Sequence, residues 1–396
     1  MGSLRRVLLS TIVVLVTALV SVAGSSISSA STKTGIPAGP IKLGALETLS
    51  GPEAAIGLEG KGVLVPLVAH LNATGGIDGH KVDLIILNDQ GDPAVAVSQA
   101  QALVQDHVAG VVNAGLPGTI GVTVPVFTKA KVPIVMLNEG DEFANGAKFP
   151  YFFTNHPSNK QAMKYLVTFA QGKGITKLGI LGDGSPFAQG QDADLVPDAK
   201  AQHLTIASSV NYSPAAVSVT TQIQQLRASG ANGIALLSEA GLGEVYTALQ
   251  QIGWSPIILT SQLGLIEGFS SLGSLAPTSY ASCTVGIKAG QTPPASVVNI
   301  INIVNTSVNS LSASVGSPIE NDTLLIFKKA ITAAHSLNGT AVRNAIEHIK
   351  NESFTDPQIK YTFTAADHNG WPNSGIYMCK MTGFGPEGVG LIVNPG

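Results

Sequence analysis

Residues 41–93, IKLGALETLSGPEAAIGLEGKGVLVPLVAHLNATGGIDGHKVDLIILNDQGDP, decide the fold. Residues 41–46 form an apolar run of strand length, and a polar loop, Glu47-Thr48-Leu49-Ser50-Gly51-Pro52, follows. Leu58, Gly62, Val65 and Ala69 then recur at i, i+4, i+7 and i+11, the spacing of one side of a helix. Residues 72–79 end that helix, since Gly75, Gly76 and Gly79 accept the positive φ of a turn. Residues 82–87 make a second strand. The unit is β-loop-α-loop-β, and the loop after its first strand lies at the carboxyl end of a parallel sheet, where such folds bind ligands.

The alternation continues outward. Residues 93–106 read as a helix with Pro at its first turn, where the missing N–H costs nothing. A strand at 109–113, a helix at 119–130 interrupted by Pro125 and a strand at 133–137 come next. Residues 150–161, PYFFTNHPSNKQ, break the rhythm: an aromatic strand runs into a polar turn, then a helix at 159–171. This is the expected first crossing into a second lobe. There, strands at 178–181, 206–210, 233–237 and 257–259 alternate with helices at 187–201, 217–228 and 243–252. Residues 280–287 are expected to cross back, before helices at 296–312, 323–337 and 341–350 and strands at 359–363 and 375–380. Pro66 lies inside the first helix and is expected to kink it at ~3 kcal/mol.

The predicted fold is α/β, with two lobes that are each a mostly parallel doubly wound sheet flanked by helices. Residues 41–155 and 285–378 are assigned to lobe 1, and 156–284 and 379–396 to lobe 2. Of the 396 residues only 12 % are charged, and the net charge is −3, so nothing points to nucleic acid or an anionic membrane. The first 30 residues read as a signal peptide: Arg5 and Arg6, an apolar run at 7–20, and small residues up to Ala30. An uncleaved anchor is the alternative, but the apolar run is short for a span of ~20 residues. Residues 31–40 read as a flexible leader.

Three blocks in order carry a family likeness: Leu49-Ser50-Gly51-Pro52, Leu71-Asn72-Ala73-Thr74-Gly75-Gly76-Ile77-Asp78-Gly79, and Asn88-Asp89-Gln90-Gly91-Asp92-Pro93. With them the chain resembles the extracytoplasmic binding proteins of branched-chain amino-acid ABC transporters, the leucine/isoleucine/valine-binding family of the periplasmic binding protein type 1 fold. The likeness is clearest over 41–140. It implies a monomeric clamp that needs no cofactor, captures a small molecule (an amino acid, branched-chain or related) and delivers it to permease subunits of an ABC importer. It also implies an exported protein at the periplasm or outer face of the envelope. No Cys precedes residue 283, so a lipid anchor is not expected.

The resemblance places ligand contacts in loops after strands. Ser50 lies in the first such loop. Thr119 either meets a ligand carboxylate at a helix N-terminus or only caps that helix. Asn138 and Glu139 stand where relatives have small residues and a hydroxyl; Glu139 either meets an ammonium group or is a solvated loop charge. Phe187 matches an aromatic of the family and either packs on an apolar ligand stem or belongs to the core. Glu239 follows a strand near a ligand-touching aromatic of relatives. Gln262 stands near the acid that binds the amino group there. Either Glu239 or Glu139 replaces that acid, or the ligand is an amine-free acid or an amide.

Cys283 and Cys379, the only cysteines, lie in segments assigned to lobe crossings, which run side by side in this architecture. A disulfide is expected, with two buried thiols as the alternative. The eight His show no metal-ligand spacing, and no Gly-x-Ser-x-Gly elbow is present, so neither a metal site nor an enzyme is expected. A sensor that reports the ligand to a signalling partner remains the second reading.

Overall fold

The structure is a computed structural model. It describes residues 35–51, 53–213, 215–238, 241–261, 279–284, 293–308 and 311–380.

The first sheet is wholly parallel and contains β1 (Ile41–Glu47), β2 (Val82–Asn88), β3 (Gly110–Ala114), β4 (Ile134–Met136) and β5 (Phe152–Thr154). Their order is β2-β1-β3-β4-β5. The second contains β6 (Lys177–Gly182), β7 (Thr205–Asn211), β8 (Gly233–Leu237), β9 (Ile257–Thr260), β10 (Ser279–Cys283) and β11 (Tyr377–Lys380). Its order is β11-β10-β9-β8-β6-β7, parallel except for β11 against β10. Each sheet therefore reverses its winding once, between β1 and β3 in the first and between β6 and β8 in the second.

Alternate residues of each strand feed opposite faces. Leu43, Ala45 and Val112 pack on α1 (Ala54–Ala73), while Leu46, Val111 and Ala114 pack on α2 (Pro93–Gln105) and α3 (Pro117–Ala130). The second sheet divides likewise: Leu181, Ile234 and Leu236 enter one core, Ile180, Ala235 and Leu237 the other. Its helices are α4 (Asn159–Gly172), α5 (Pro186–Ala201), α6 (Thr220–Ala228) and α7 (Leu242–Ile252). Both sheets are covered on both sides, as the regular alternation predicted.

After β10 come α8 (Ala295–Asn305), α9 (Leu311–Ala334) and α10 (Gly339–Glu347). Ile319, Leu324 and Phe327 of α9 join the core of the first sheet. Phe327 seats against β3 at Gly110, where a Cβ would stand 2.2 Å from its ring.

Several expectations need correction. The stripe Leu58, Gly62, Val65, Ala69 is the outward side of α1: Leu58 is 54 % and Val65 49 % exposed, while Leu64, Leu67, Val68 and Leu71 are buried. The helix is apolar nearly all round, so its period gave no face. Helix α1 runs through Pro66, and α3 through Pro125. The helices expected at 296–312 and 323–337 have other bounds: α8 ends at Asn305, and α9 begins at Leu311 and runs through Gly316 and Pro318 to Ala334. Residues 359–363 form no strand. Tyr361 and Phe363 are fully buried in irregular chain, with only an isolated Glu352–Tyr361 bridge.

Of residues 280–287, expected to cross back, those up to Cys283 belong to β10 (Ser279–Cys283), a strand of the second sheet, and 285–287 lie outside the described residues. Its register against β11 pairs Ala281 with Cys379 and Cys283 with Tyr377, so the two cysteines sit on adjacent antiparallel strands.

Candidate functional site

The reversal in the first sheet sets the geometry. Diverging loops leave a crevice at the carboxyl ends of β1 and β3. Glu47 is the last residue of β1, and Asn113 lies one residue before the end of β3. Asn113 Nδ2 donates to Glu47 Oε1 at 2.9 Å, and Gly115 N donates to Asn113 Oδ1 at 3.1 Å. Gly115 has φ +110°, and a Cβ there would stand 2.3 Å from Thr119 Oγ1, so the turn into α3 needs glycine.

A cleft of about 330 Å³ opens at this point, at the lower end of ligand cavities of about 300–1,000 Å³. Helix α1 contributes Ile56, Glu59, Gly60 and Val63 to its wall, and the start of α3 contributes Leu116, Pro117 and Ile120. The loop after β4 gives Asn138, Glu139, Gly140 and Glu142; α9 gives Ala313, Gly316 and Glu320. The far wall comes from the second lobe, as Pro186, Phe187 and Gly190 of α5 and Asn159 at the start of α4.

Helix α9 is held in place by Asn155 just past β5, whose Nδ2 donates to the Ile319 carbonyl and to Thr323 Oγ1, each at 3.0 Å. The lobes also meet directly. Asn159 N donates to the Glu139 carbonyl at 2.6 Å, and Gln191 Nε2 reaches Glu139 Oε2 at 3.3 Å.

Burial governs the electrostatics. It pushes Glu47 well above the usual carboxylate range; the Asn113 bond pulls it down, while the charges of Glu320 and Asp89 add to the rise. Burial also pushes Glu320 up to about 8. Among the described lining residues there is no Lys or Arg.

The residues singled out from sequence separate. Asn138, Glu139 and Phe187 line the cleft together. Ser50 is exposed outside the lining and accepts from Asn88 Nδ2 at 2.9 Å. Thr119 is not the N-cap of α3, since the helix begins at Pro117 after Leu116. It is 1 % exposed, and its hydroxyl donates to Asp89 Oδ2 at 3.0 Å rather than lining the cleft. Glu239 and Gln262 lie outside the described residues, as do the side chains of Cys283 and Cys379. The sequence reading missed Glu47, Asn113 and Glu320. Glu47 had a signal, a lone acid closing an apolar strand; Glu320 had none, because its helix was expected to begin three residues later.

Fold and cleft define a two-lobed α/β ligand-binding protein. The pattern of the Periplasmic binding protein family matches residues 40–384, and the chain belongs to that family. Leu/Ile/Val-binding protein homolog 4 of Brucella abortus is 30 % identical over 87 residues, 22 % of this chain and 21 % of the relative. Leu/Ile/Val-binding protein BraC3 of Rhizobium johnstonii is 40 % identical over 86 residues, 22 % of this chain and 23 % of the relative. The chain thus matches about a fifth of the length of these curated relatives.

Solved structures match across both lobes. An extracellular ligand-binding receptor from Rhodopseudomonas palustris has a TM-score of 0.74 at 18 % identity, over 89 % of this chain and 99 % of that one. The branched-chain amino acid transporter substrate binding protein LivJ of Streptococcus pneumoniae, solved with isoleucine, has a TM-score of 0.71 at 19 % identity, over 90 % and 100 %.

Proposed function

We propose that this protein is an extracytoplasmic solute-binding protein that captures a small molecule between its lobes and delivers it to the permease subunits of an ABC importer. One observation carries the reading. The cleft opens at the carboxyl end of the first sheet's reversal and takes its far wall from the second lobe, so closure of one lobe on the other encloses a solute. The named relatives make amino acids and their derivatives the ligand class to try first. In this reading lobe 1 is 41–155 with 285–378, and lobe 2 is 156–284 with 379–396. Asn138, Glu139 and Phe187 touch the ligand, and no covalent step occurs.

The first 30 residues act as a cleaved signal, and the mature chain works as a monomer outside the membrane without a lipid anchor. A Cys283–Cys379 disulfide ties β10 to β11; the adjacency of these strands supports it.

A thermal-shift screen of the mature chain against amino acids, amines, amides and organic acids tests the function. A ligand that binds only the folded protein raises its melting temperature by mass action. A hit that also lowers the radius of gyration supports capture by closure. No shift with any solute contradicts the reading.

A further inference from the structure

Carboxylates dominate the ionisable groups of the cleft, with His156 beside them. Glu47, Glu59, Glu139, Glu142 and Glu320 line it, and among the described residues no Lys or Arg does. Two of these groups lack what a carboxylate needs. Glu47 is 2 % exposed, and its carboxylate has one hydrogen bond among the described residues, from Asn113 to Oε1. Its Oε2 faces Gly60 of α1, where a Cβ would stand 2.8 Å away, so glycine keeps the space before that oxygen clear. Glu320 has no hydrogen-bond or ion-pair partner among the described residues. It reaches the cleft from α9 beyond Ala313 and Gly316, two small residues on the same lining face. Burial pushes both acids up, and Glu320 adds to the rise of Glu47. A buried acid raised by its burial and by a second acid facing the same cleft lacks a cation.

We propose that the cleft takes a small organic cation: a molecule with a primary ammonium or guanidinium group, a short apolar stem and no free carboxylate, its positive group seated between Glu47 and Glu320. This rests on the solute-binding reading above and names the chemistry of its ligand. The cation completes the hydrogen bonding of Glu47 Oε2 and Glu320, and the stem lies against Ile56, Val63 and Phe187. Once these acids are ionised, a ligand carboxylate in this lining is repelled.

A matched series with similar stems tests the proposal: 3-methylbutylamine as the cation, leucinamide as a weaker base only partly protonated at the working pH, leucine as the zwitterion and 4-methylpentanoate as the anion. Agmatine is added as a guanidinium probe. Titration calorimetry on the mature chain at about pH 8.5 keeps Glu320 largely ionised. The cations are expected to bind at least about tenfold more tightly than leucine, the loss of one charge-assisted bond, and the anion not at all. Glu320→Gln is expected to weaken amine binding at least about tenfold while the ligand-free protein melts no lower. Glu47→Gln provides the second variant.

Leucine or the anion binding as tightly as the amines overturns the proposal, and so does unchanged amine affinity in Glu320→Gln. If the cations fail while another solute of the wider screen binds, this proposal falls and the solute-binding reading stands. If no solute of any charge binds, both fall.

Discussion

The two sheets reverse their winding in the same way, yet the two reversals are finished differently. At the second, between β6 and β8, polar groups among the described residues bond one another. The Tyr212 hydroxyl lies 2.6 Å from Ser238 Oγ, Ser238 Oγ donates to Asp183 Oδ2 at 3.4 Å, and Ser185 N donates to Asp183 Oδ1 at 2.9 Å. At the first, between β1 and β3, Glu47 keeps one oxygen without a partner and Glu320 keeps both so among the described residues. Topology supplies a crevice at each reversal, and side-chain chemistry decides which one is left incomplete for a ligand. A polar network closed on itself adds rigidity; an incomplete one gains free energy when its missing partner arrives.

The largest expected effect breaks the contrast outright. Glu47→Gln and Glu320→Gln together should weaken amine binding by at least about 3 kcal/mol, a hundredfold or more. Tyr212→Phe, at the other reversal, should leave it within about twofold. Calorimetry on both variants makes the comparison.

The second effect is in pH. A cation requires Glu320 ionised, and the other titratable groups lining the cleft are Glu47 of β1, Glu59 of α1, Glu139 and Glu142 after β4, and His156 after β5. With Glu320 at about 8, amine affinity should fall by up to about tenfold per pH unit below that value. The same shift acts on stability with a definite sign. The native state holds a proton that the unfolded chain releases above the ordinary value of 4.5. The stability from this group is complete below about 4.5 and is lost as pH rises through about 8. Asp322, raised to about 7 by burial, acts in the same direction. Urea titrations of the ligand-free protein should show stability declining between these limits, and Glu320→Gln should flatten the decline.

The third effect is on folding alone. Tyr212→Phe removes a hydroxyl bonded in the second lobe and should cost about 1 kcal/mol in urea unfolding. The smallest sharpens the first lobe: Gly60→Ala sets a methyl group against Glu47 Oε2, 2.8 Å away before relaxation. It should reduce amine affinity several-fold, with less change in melting temperature than Tyr212→Phe.

The three sequence blocks that carried the family likeness turn out to be structural. Asn72 brackets the start of β2 through Val82 N and O. Asn88 accepts from Leu49 N, and Asp89 bonds both Thr48 and Thr119. Asp92 accepts from Ala94 N and Val95 N to cap α2. Such short-range polar patterns are legible because each residue serves the chain beside it. Strand alternation and the loops after strands were legible for the same reason, and they brought Asn138, Glu139 and Phe187 to the cleft.

Glu47 and Glu320 were not legible, because their burial is made by distant chain. Their sequence separation is large, and only the packing of α1 and α9 on one sheet brings both to one lining. Gly316 and Pro318, ordinary helix-ending signals, hid the helix that carries Glu320. Thr119 is the opposite case: its position suggested a ligand contact, and the structure engages its hydroxyl with Asp89 on the neighbouring loop.

A crystal structure of the mature protein with leucinamide tests the central claim most directly. The expected result is an ammonium nitrogen about 2.7–2.9 Å from carboxylate oxygens of both Glu47 and Glu320, with the side chain against Phe187. An ammonium group bound away from these two residues, or an acceptor group of the ligand lying between them, would contradict it.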